Sequence, residues 1–238
     1  MVCGACSLLK QGVEKNPDRQ LEAVRTAVPV VIDGKLDDPV WKVAPWYRLG
    51  YSKDRQAKGE VVKDGGRIRL SWDAEFLYLA ADFVDHDVIA TCNEDEVHHY
   101  QTGDVCELFL RPQTAEHYWE MYVTPDGRKT TFYLPKFTEI APRDTYTSGL
   151  RVAAQVAGTL NDRSDRDCGW TGEMAVPIND LTVHGDPFGP DARWRIFIGR
   201  YNYNLQHADS KPELSMTPPL SKTSYHLINE YPALKLVE

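Results

Sequence analysis

The chain has 238 residues, and its 27 Lys and Arg against 35 Asp and Glu give a formal net charge of −8 at pH 7. This length suffices for one sizeable domain with a buried core. The pI near 5.4 and the lack of basic runs argue against phosphate neutralisation on nucleic acid, and equally against anionic membranes. No apolar stretch approaches the roughly 18 residues of a membrane span, so no transmembrane segment is predicted.

The first 23 residues are predicted to be a flexible N-terminal tail, followed by a single domain over residues 24–238. The start of the chain has neither the basic region nor the long apolar stretch of an intact secretory signal. Cys3 and Cys6 lie in this tail, and the chain has five cysteines in all. An odd number of scattered cysteines predicts no disulfide framework.

From residue 28 onward, short segments rich in Val, Ile, Tyr, Phe and Trp alternate with turn-forming residues, which is typical of an all-β domain. The predicted fold is an antiparallel β-sandwich of jelly-roll or immunoglobulin-like type. The predicted strands are, in chain order, residues 28–32, 67–73, 77–84, 104–111, 118–124, 128–134, 150–157, 170–176, 194–204 and 233–237.

One or two short helical turns are expected between these strands, because Pro39 follows two acids at a plausible first helical position. Residues 177–181 are the second candidate. The polar segments between strands are predicted to be long loops, which on a sandwich is where ligands are usually met. These loops are residues 52–66, 135–148, 161–169 and 205–222.

Residues 104–111 and 118–124 are separated by six residues, which predicts a β-hairpin. Side chains alternate along a strand, so each strand turns one face to the core. The other sheet face then combines acids, an arginine and aromatic rings: Glu107, Phe109, Arg111, Tyr118, Glu120 and Tyr122. Directional hydrogen-bonding groups beside aromatic rings suit a sugar, although they also suit an ordinary solvated sheet face.

Two further functions remain open on these residues. Glu107 and Glu120 facing each other would permit a glycoside hydrolase, since retaining enzymes hold two carboxylates about 5 to 5.5 Å apart. Methionine and histidine could supply axial ligands to haem in an electron carrier, although Met121 and Met174 lie in strand patterns typical of a core.

Two places in the sequence carry side chains of the kinds that bind metals. Asp85 and Asp87 are candidate calcium ligands because hard cations collect carboxylates from loops. His98 and His99 are not expected to bind one zinc ion together, because adjacent side chains on a strand point to opposite faces.

Five motifs follow one another along the chain. They are Ile32-Asp-Gly-Lys-Leu-Asp-Asp-Pro-Val-Trp41, Arg69-Leu-Ser-Trp-Asp-Ala-Glu-Phe-Leu-Tyr-Leu79, Asp104-Val-Cys-Glu-Leu-Phe-Leu110, Gly169-Trp-Thr-Gly-Glu-Met-Ala-Val-Pro177 and Ser224-Tyr-His-Leu-Ile-Asn-Glu-Tyr-Pro-Ala-Leu-Lys-Leu236. In content and order they resemble the family 9 carbohydrate-binding modules. The resemblance extends over roughly residues 24–238.

The resemblance implies a sandwich like that of DOMON-type domains, which binds sugars without catalysis in a slot between two aromatic rings. It also implies structural calcium, an extracellular or bacterial envelope or periplasmic location, and a part in polysaccharide catabolism. In this sequence, Glu107 falls on the sugar-binding acid of the family and Tyr225 on one aromatic clamp. The other clamp position holds Gln101, with Tyr100 as its nearest aromatic neighbour.

The predicted function is therefore non-catalytic binding of a mono- or oligosaccharide, such as a xylan- or cellulose-type glycan end, with no organic cofactor. The predicted ligand-binding residues are Glu107, Tyr225, Tyr100, Gln101, Glu120, Tyr122 and Arg200. Trp41, Trp72 and Trp170 are assigned to the core instead, because large aromatic residues dominate burial in a sandwich. Insertions over residues 136–148 and 206–220 are expected to reshape or close the slot.

Overall fold

The computed structural model describes residues 13–17, 20–137, 139–142, 146–204 and 211–238. Its strands are β1 Gln20–Arg25, β2 Tyr47–Arg48, β3 Gly66–Trp72, β4 Phe76–Val84, β5 Val105–Pro112, β6 Tyr118–Val123, β7 Lys129–Leu134, β8 Arg151–Ala157, β9 Gly169–Pro177, β10 Trp194–Asn202, β11 Glu213–Thr217 and β12 Ala233–Val237. The helices are α1 Lys53–Gln56 and α2 Ile178–Thr182, with 3-10 turns at Pro39–Lys42 and His99–Gln101. Within this part of the chain, no helix is long and apolar enough to cross a membrane.

The described strands join into one continuous sheet. Its main path runs β7-β6-β5-β10-β12-β1-β3-β4-β9-β8, with β11 added beside β10 and β2 beside β3. The two ends of this path come together, since β6 contacts both β8 and β9. The predicted all-β sandwich is confirmed, in a form close to a closed barrel.

The predicted antiparallel arrangement is interrupted at β1, which runs parallel to both of its neighbours, β12 and β3. The N-terminal strand thus enters the middle of the sheet and joins the C-terminal strand to the rest. β1 begins at Gln20, so four residues assigned to the tail belong to the sheet. Leu21 and Ala23 are fully buried there. Cys3 and Cys6 lie outside the described residues.

The strand predicted over residues 28–32 is wrong. Pro29 has no N–H to donate to a neighbouring strand, and the segment is irregular. Val28 and Val31 are each 63% exposed, whereas Val30 is buried in a small apolar cluster with Trp41. The long loop predicted over residues 205–222 is also corrected, because it contains β11, which pairs with the end of β10.

The main core lies between the two halves of the folded sheet. It holds Trp72 and Trp170, and Trp41 is buried in the small cluster outside it, so the predicted burial of all three is confirmed. The face assignment of the hairpin is confirmed as well. One face of β5 and β6 enters the main core, and the other forms a second cluster that contains Phe109 and Tyr122.

Candidate functional site

A cavity of about 420 Å³ opens on the face of β5 and β6 that points away from the main core. The two strands form its floor, and β7, β10, β11 and the segment before β12 form its walls. Its lining comprises His98, Tyr100, Glu107, Glu120, Tyr122, Phe132, Leu134, Ile140, Tyr201, Leu214, Thr223, Ser224, Tyr225 and His226. The cavity therefore combines two carboxylates with a surround of aromatic and histidine rings.

Glu107 is the most deeply placed acid of this cavity. Its side chain is 2% exposed, and its Oε1 atom has no hydrogen-bond partner among the described residues. Burial raises the pKa of the Glu107 carboxyl well above its ordinary value, and the nearby charge of Glu120 raises it further. A buried oxygen without a partner is costly, so a ligand hydroxyl or amine that reached it would be stabilised.

Glu120 shares the floor with Glu107 through one tyrosine. The Tyr122 hydroxyl donates a short hydrogen bond to Glu120 Oε1 and also favours the charged form of Glu107. Burial nevertheless raises the pKa of Glu120 to about 7. The strand register places Glu107 opposite Tyr122 and Glu120 opposite Phe109, so the two acids are diagonal neighbours and do not face each other directly.

The aromatic rings surround the mouth at different orientations. The ring centroids of Tyr100 and Tyr201 are 5.6 Å apart, and those of Tyr201 and Tyr225 are 5.5 Å apart in an edge-to-face contact. His98 stacks on Phe132 with centroids 4.8 Å apart, and its ring centroid also lies 5.6 Å from that of Tyr100. Such rings offer flat apolar surface to a sugar ring.

Tyr225 forms a fixed wall of the cavity. Its single hydroxyl proton is shared between the carbonyl oxygens of Arg200 at 2.7 Å and Ser215 at 2.8 Å, and its ring lies against Gly199. The side chain is only 5% exposed. The predicted aromatic clamp residue thus reaches the cavity as part of the packed core beside β10 and β11.

Two residues of the predicted ligand-binding set lie elsewhere. Gln101 is exposed and does not line the cavity, although its amide donates to the Tyr100 hydroxyl at 3.2 Å. Arg200 pairs with Cys106 across the strands and therefore points to the opposite side of the sheet. There its guanidinium binds Asp85 at 2.9 Å, so the prediction of Arg200 as a donor near the slot is wrong.

The same contact bears on the candidate calcium ligands. The Asp85 carboxylate is fully buried and already neutralised by Arg200, while Asp87 lies 3.9 Å from the Arg163 guanidinium. Among the described residues, no group of three or more metal-ligating side chains converges at any position. Asp85 and Asp87 therefore do not fit the calcium site expected from the family resemblance.

His98 and His99 have different surroundings, although they lie at the start of a 3-10 turn and not on the strand that the prediction assumed. His98 faces the cavity, whereas His99 is buried and its Nδ1 lies 2.7 Å from the Thr130 hydroxyl. The two predicted insertions do contribute to the walls, since Ile140 comes from the first and Leu214 from the second.

Four ring-bearing lining residues were missed from sequence: His98, Phe132, Tyr201 and His226. Of these four, Tyr201 could have been identified from the sequence. It lies on the strand beside Glu107 and one residue from Arg200, so strand alternation puts exactly one of the two on the cavity side. The sequence prediction chose the wrong member of this pair.

Three solved structures share the fold over 92% of this chain. A candidate carbohydrate-binding protein from Bacteroides uniformis ATCC 8492 matches with a TM-score of 0.70, 14% identity and 99% of its own chain covered. A family 9 carbohydrate-binding module from Caldicellulosiruptor kristjanssonii in complex with cellotriose matches at 0.59, 13% and 94%. A module of that family and organism in complex with glucose matches at 0.58, 14% and 95%.

No curated protein sequence matches the chain. A family model described as carbohydrate family 9 binding domain-like does match, over residues 32–189, which is more than half of the 238 residues. The family predicted from the five motifs is confirmed. The chain therefore belongs to the carbohydrate family 9 binding domain-like family.

Proposed function

We propose that the chain binds a mono- or oligosaccharide without catalysis, with one sugar ring held in the cavity above Glu107 and Glu120. Membership of the family and the fold shared with modules solved with glucose and cellotriose support this proposal. The observation that carries it is the buried, unpartnered Oε1 atom of Glu107 inside an aromatic cavity. A sugar hydroxyl supplies the missing donor, and its C–H face packs on the rings.

The affinity is expected to be modest. The cavity volume of about 420 Å³ lies near the lower end of the range for small-molecule sites. A few hydrogen bonds exchanged with water and one or two stacking contacts leave little free energy after the cost of association. A Kd of roughly micromolar to millimolar follows.

The first test is the substitution Glu107→Gln, which keeps the size of the side chain and removes its carboxylate. At a pH above the raised pKa of Glu107, the lost contact is a hydrogen bond to a charged group, which contributes about 1.5 to 3 kcal/mol, so sugar affinity there should fall by roughly 10- to 100-fold. Isothermal titration calorimetry with glucose, xylose, cellobiose and xylo-oligosaccharides measures this. The melting temperature should be equal or higher, because a buried acid with a raised pKa has been neutralised.

Glu116→Gln is the matched control, since Glu116 is exposed and outside the cavity. It should bind like the parent protein. Equal affinity of parent and Glu107→Gln for a bound sugar would remove Glu107 from the site. If the parent protein binds none of the sugars in the panel, the proposal of sugar binding is itself contradicted.

Glycoside hydrolysis is the second candidate, favoured by one observation. Two carboxylates with raised pKa share a cavity, as a general acid and its partner do in such enzymes. Both acids lie on the same side of the cavity and contact the Tyr122 hydroxyl. This arrangement suits binding of a sugar better than hydrolysis, in which the two carboxyl groups flank the scissile bond. Turnover of aryl glycosides that is lost in both Glu107→Gln and Glu120→Gln would establish hydrolysis.

Family membership also supports the finer proposals of an extracellular or envelope location, a part in polysaccharide catabolism and a structural calcium ion. Asp85 is already bound to Arg200 and Asp87 lies beside Arg163, so these two acids are not proposed as its ligands. A rise in Tm on addition of calcium to chelator-treated protein would support the ion, and a constant Tm would count against it.

A further inference from the structure

The two cavity acids differ from the other deeply buried acids in what compensates them. Asp85 has the Arg200 guanidinium, and Glu173 accepts the Trp41 indole N–H and two backbone N–H groups. Glu213 accepts the Tyr51 hydroxyl and two backbone N–H groups.

Within the described part of the chain, the Tyr122 hydroxyl is the only hydrogen-bond donor to Glu107 and Glu120. The described residues thus form a buried acid pair that has neither a cation nor a backbone N–H as a partner.

The described walls contain no permanently charged cation. The described lining residues include no Lys or Arg. His226 is half-buried, and burial lowers its pKa, which favours the neutral imidazole. The side chains that do surround the acids are π-systems, among them Tyr100, Tyr201 and Tyr225. Rings of this kind attract a cation across their faces.

We propose that the cavity selects a sugar that carries a protonated amine, a hexosamine, over the corresponding neutral sugar. This inference rests on the proposed function, because it concerns the ligand of the same cavity. The ammonium group would lie against the unpartnered oxygen of Glu107 and the carboxylate of Glu120, with the tyrosine rings around it. The ring carbons and hydroxyls would fill the remainder of the cavity.

The chemistry of the pair favours this occupant. A neutral sugar can donate a hydroxyl to Glu107, but it brings no positive charge that would favour the ionised forms of the two acids, whose pKa values are raised by burial. An ammonium group donates three hydrogen bonds and carries the opposite charge. Its attraction to both carboxylates and to the rings is strengthened where water is excluded.

Calorimetric titration with glucose, glucosamine hydrochloride and N-acetylglucosamine at pH 6.5 and matched chloride tests the inference. These ligands share one ring and differ at one substituent. Glucosamine should bind about 10-fold more tightly than glucose, a difference of about 1.4 kcal/mol. N-acetylglucosamine has a neutral amide in place of the amine and should lose this gain. Methylammonium chloride, a cation without a sugar ring, should bind much more weakly than glucosamine.

The outcomes separate this inference from the proposed function. Equal affinities for glucose and glucosamine would overturn the hexosamine preference and leave sugar binding intact. Binding of methylammonium as tight as that of glucosamine would also overturn it, because the ring would then contribute nothing. If none of the three sugars binds, the hexosamine preference is overturned, and the proposed function is then decided by the xylose, cellobiose and xylo-oligosaccharide titrations. Binding of glucosamine alone would support the inference and narrow the proposed function to amino sugars.

Glu120→Gln supplies a second readout through the ratio of the two affinities. Removing one carboxylate should narrow the preference for glucosamine over glucose from about 10-fold to within about 3-fold. The control Glu116→Gln should keep the parental ratio. If Glu120→Gln fails to fold by circular dichroism, Glu107→Gln is measured in the same way. An unchanged ratio in a folded variant would contradict a role for the acid pair in this selection.

Discussion

Gly199 of β10 lies directly against the Tyr225 ring. A Cβ atom built on Gly199 would overlap that ring. The ring has little freedom to retreat, because its hydroxyl is bonded to the backbone of β10 and β11. The glycine therefore sets the position of one wall of the cavity, two residues before Tyr201 supplies another.

Gly199→Ala is expected to destabilise the protein by about 1 to 3 kcal/mol, the usual cost of an overpacked core, and to weaken sugar binding. Chemical denaturation and calorimetry measure the two effects. Gly65→Ala is the matched control, since a Cβ there meets no atom within 4 Å. If Gly199→Ala is as stable as the control and binds sugar with parental affinity, the Tyr225 ring can move aside at little cost, and this prediction is wrong.

Glu120 makes stability depend on pH. Its folded pKa is raised from 4.5 to about 7 by burial, so the folded state holds the proton more tightly than the unfolded state. The contribution is fully present below about pH 4.5 and is lost as pH rises towards 7. The difference of about 2.5 between the pKa values corresponds to a loss on the order of 3 kcal/mol.

The surrounding tyrosines do not oppose this trend. Burial raises the pKa of Tyr122, Tyr201 and Tyr225, so they stay neutral over this range, and Glu107 shifts in the same direction as Glu120. In Glu120→Gln the fall in the free energy of unfolding between pH 4.5 and 7 should therefore shrink. Urea denaturation at several pH values checks this, and equally steep falls in parent and variant would refute it.

The strands of the hairpin were the most predictable elements. Alternation in β5 and β6 separates apolar from mixed faces, so the placement of Glu107 and Glu120 on one surface followed from the pattern alone. Alternation does not distinguish the two faces of β10, because both of them carry apolar residues. Only its register with β5 shows that Tyr201 faces the cavity and Arg200 faces the interior.

β1 was unpredictable for a different reason. Its sequence, Gln-Leu-Glu-Ala-Val-Arg, is short and rich in polar residues, and local propensity does not identify it as a strand. Its conformation is fixed by parallel pairing with β12 at the other end of the sequence and with β3. Contacts between such distant segments leave no local signal, which also explains the misplaced strand at residues 28–32.

The molecule as a whole is an acidic sandwich with a fully buried arginine inside it. Arg200 is fully buried on β10, in one half of the folded sheet. Its guanidinium binds the carboxylate of Asp85, which follows β4, and the carbonyl oxygen of Asp64, which precedes β3. It also lies over the Phe83 ring, 4.6 Å from its centroid. One side chain thus ties both halves together.

Arg200→Met is therefore expected to destabilise the whole sandwich by roughly 3 to 5 kcal/mol, because it leaves the Asp85 carboxylate buried without its partner. The loss should grow as pH rises, since an unpaired buried acid favours its protonated form. Denaturant unfolding at pH 5 and pH 8 measures both effects. Arg48→Met is the control, an exposed arginine paired with Glu14, which should cost at most about 1 kcal/mol. A cost for Arg200→Met no greater than that of the control would mean that packing around Phe83, and not the ion pair, holds the two halves together at this end.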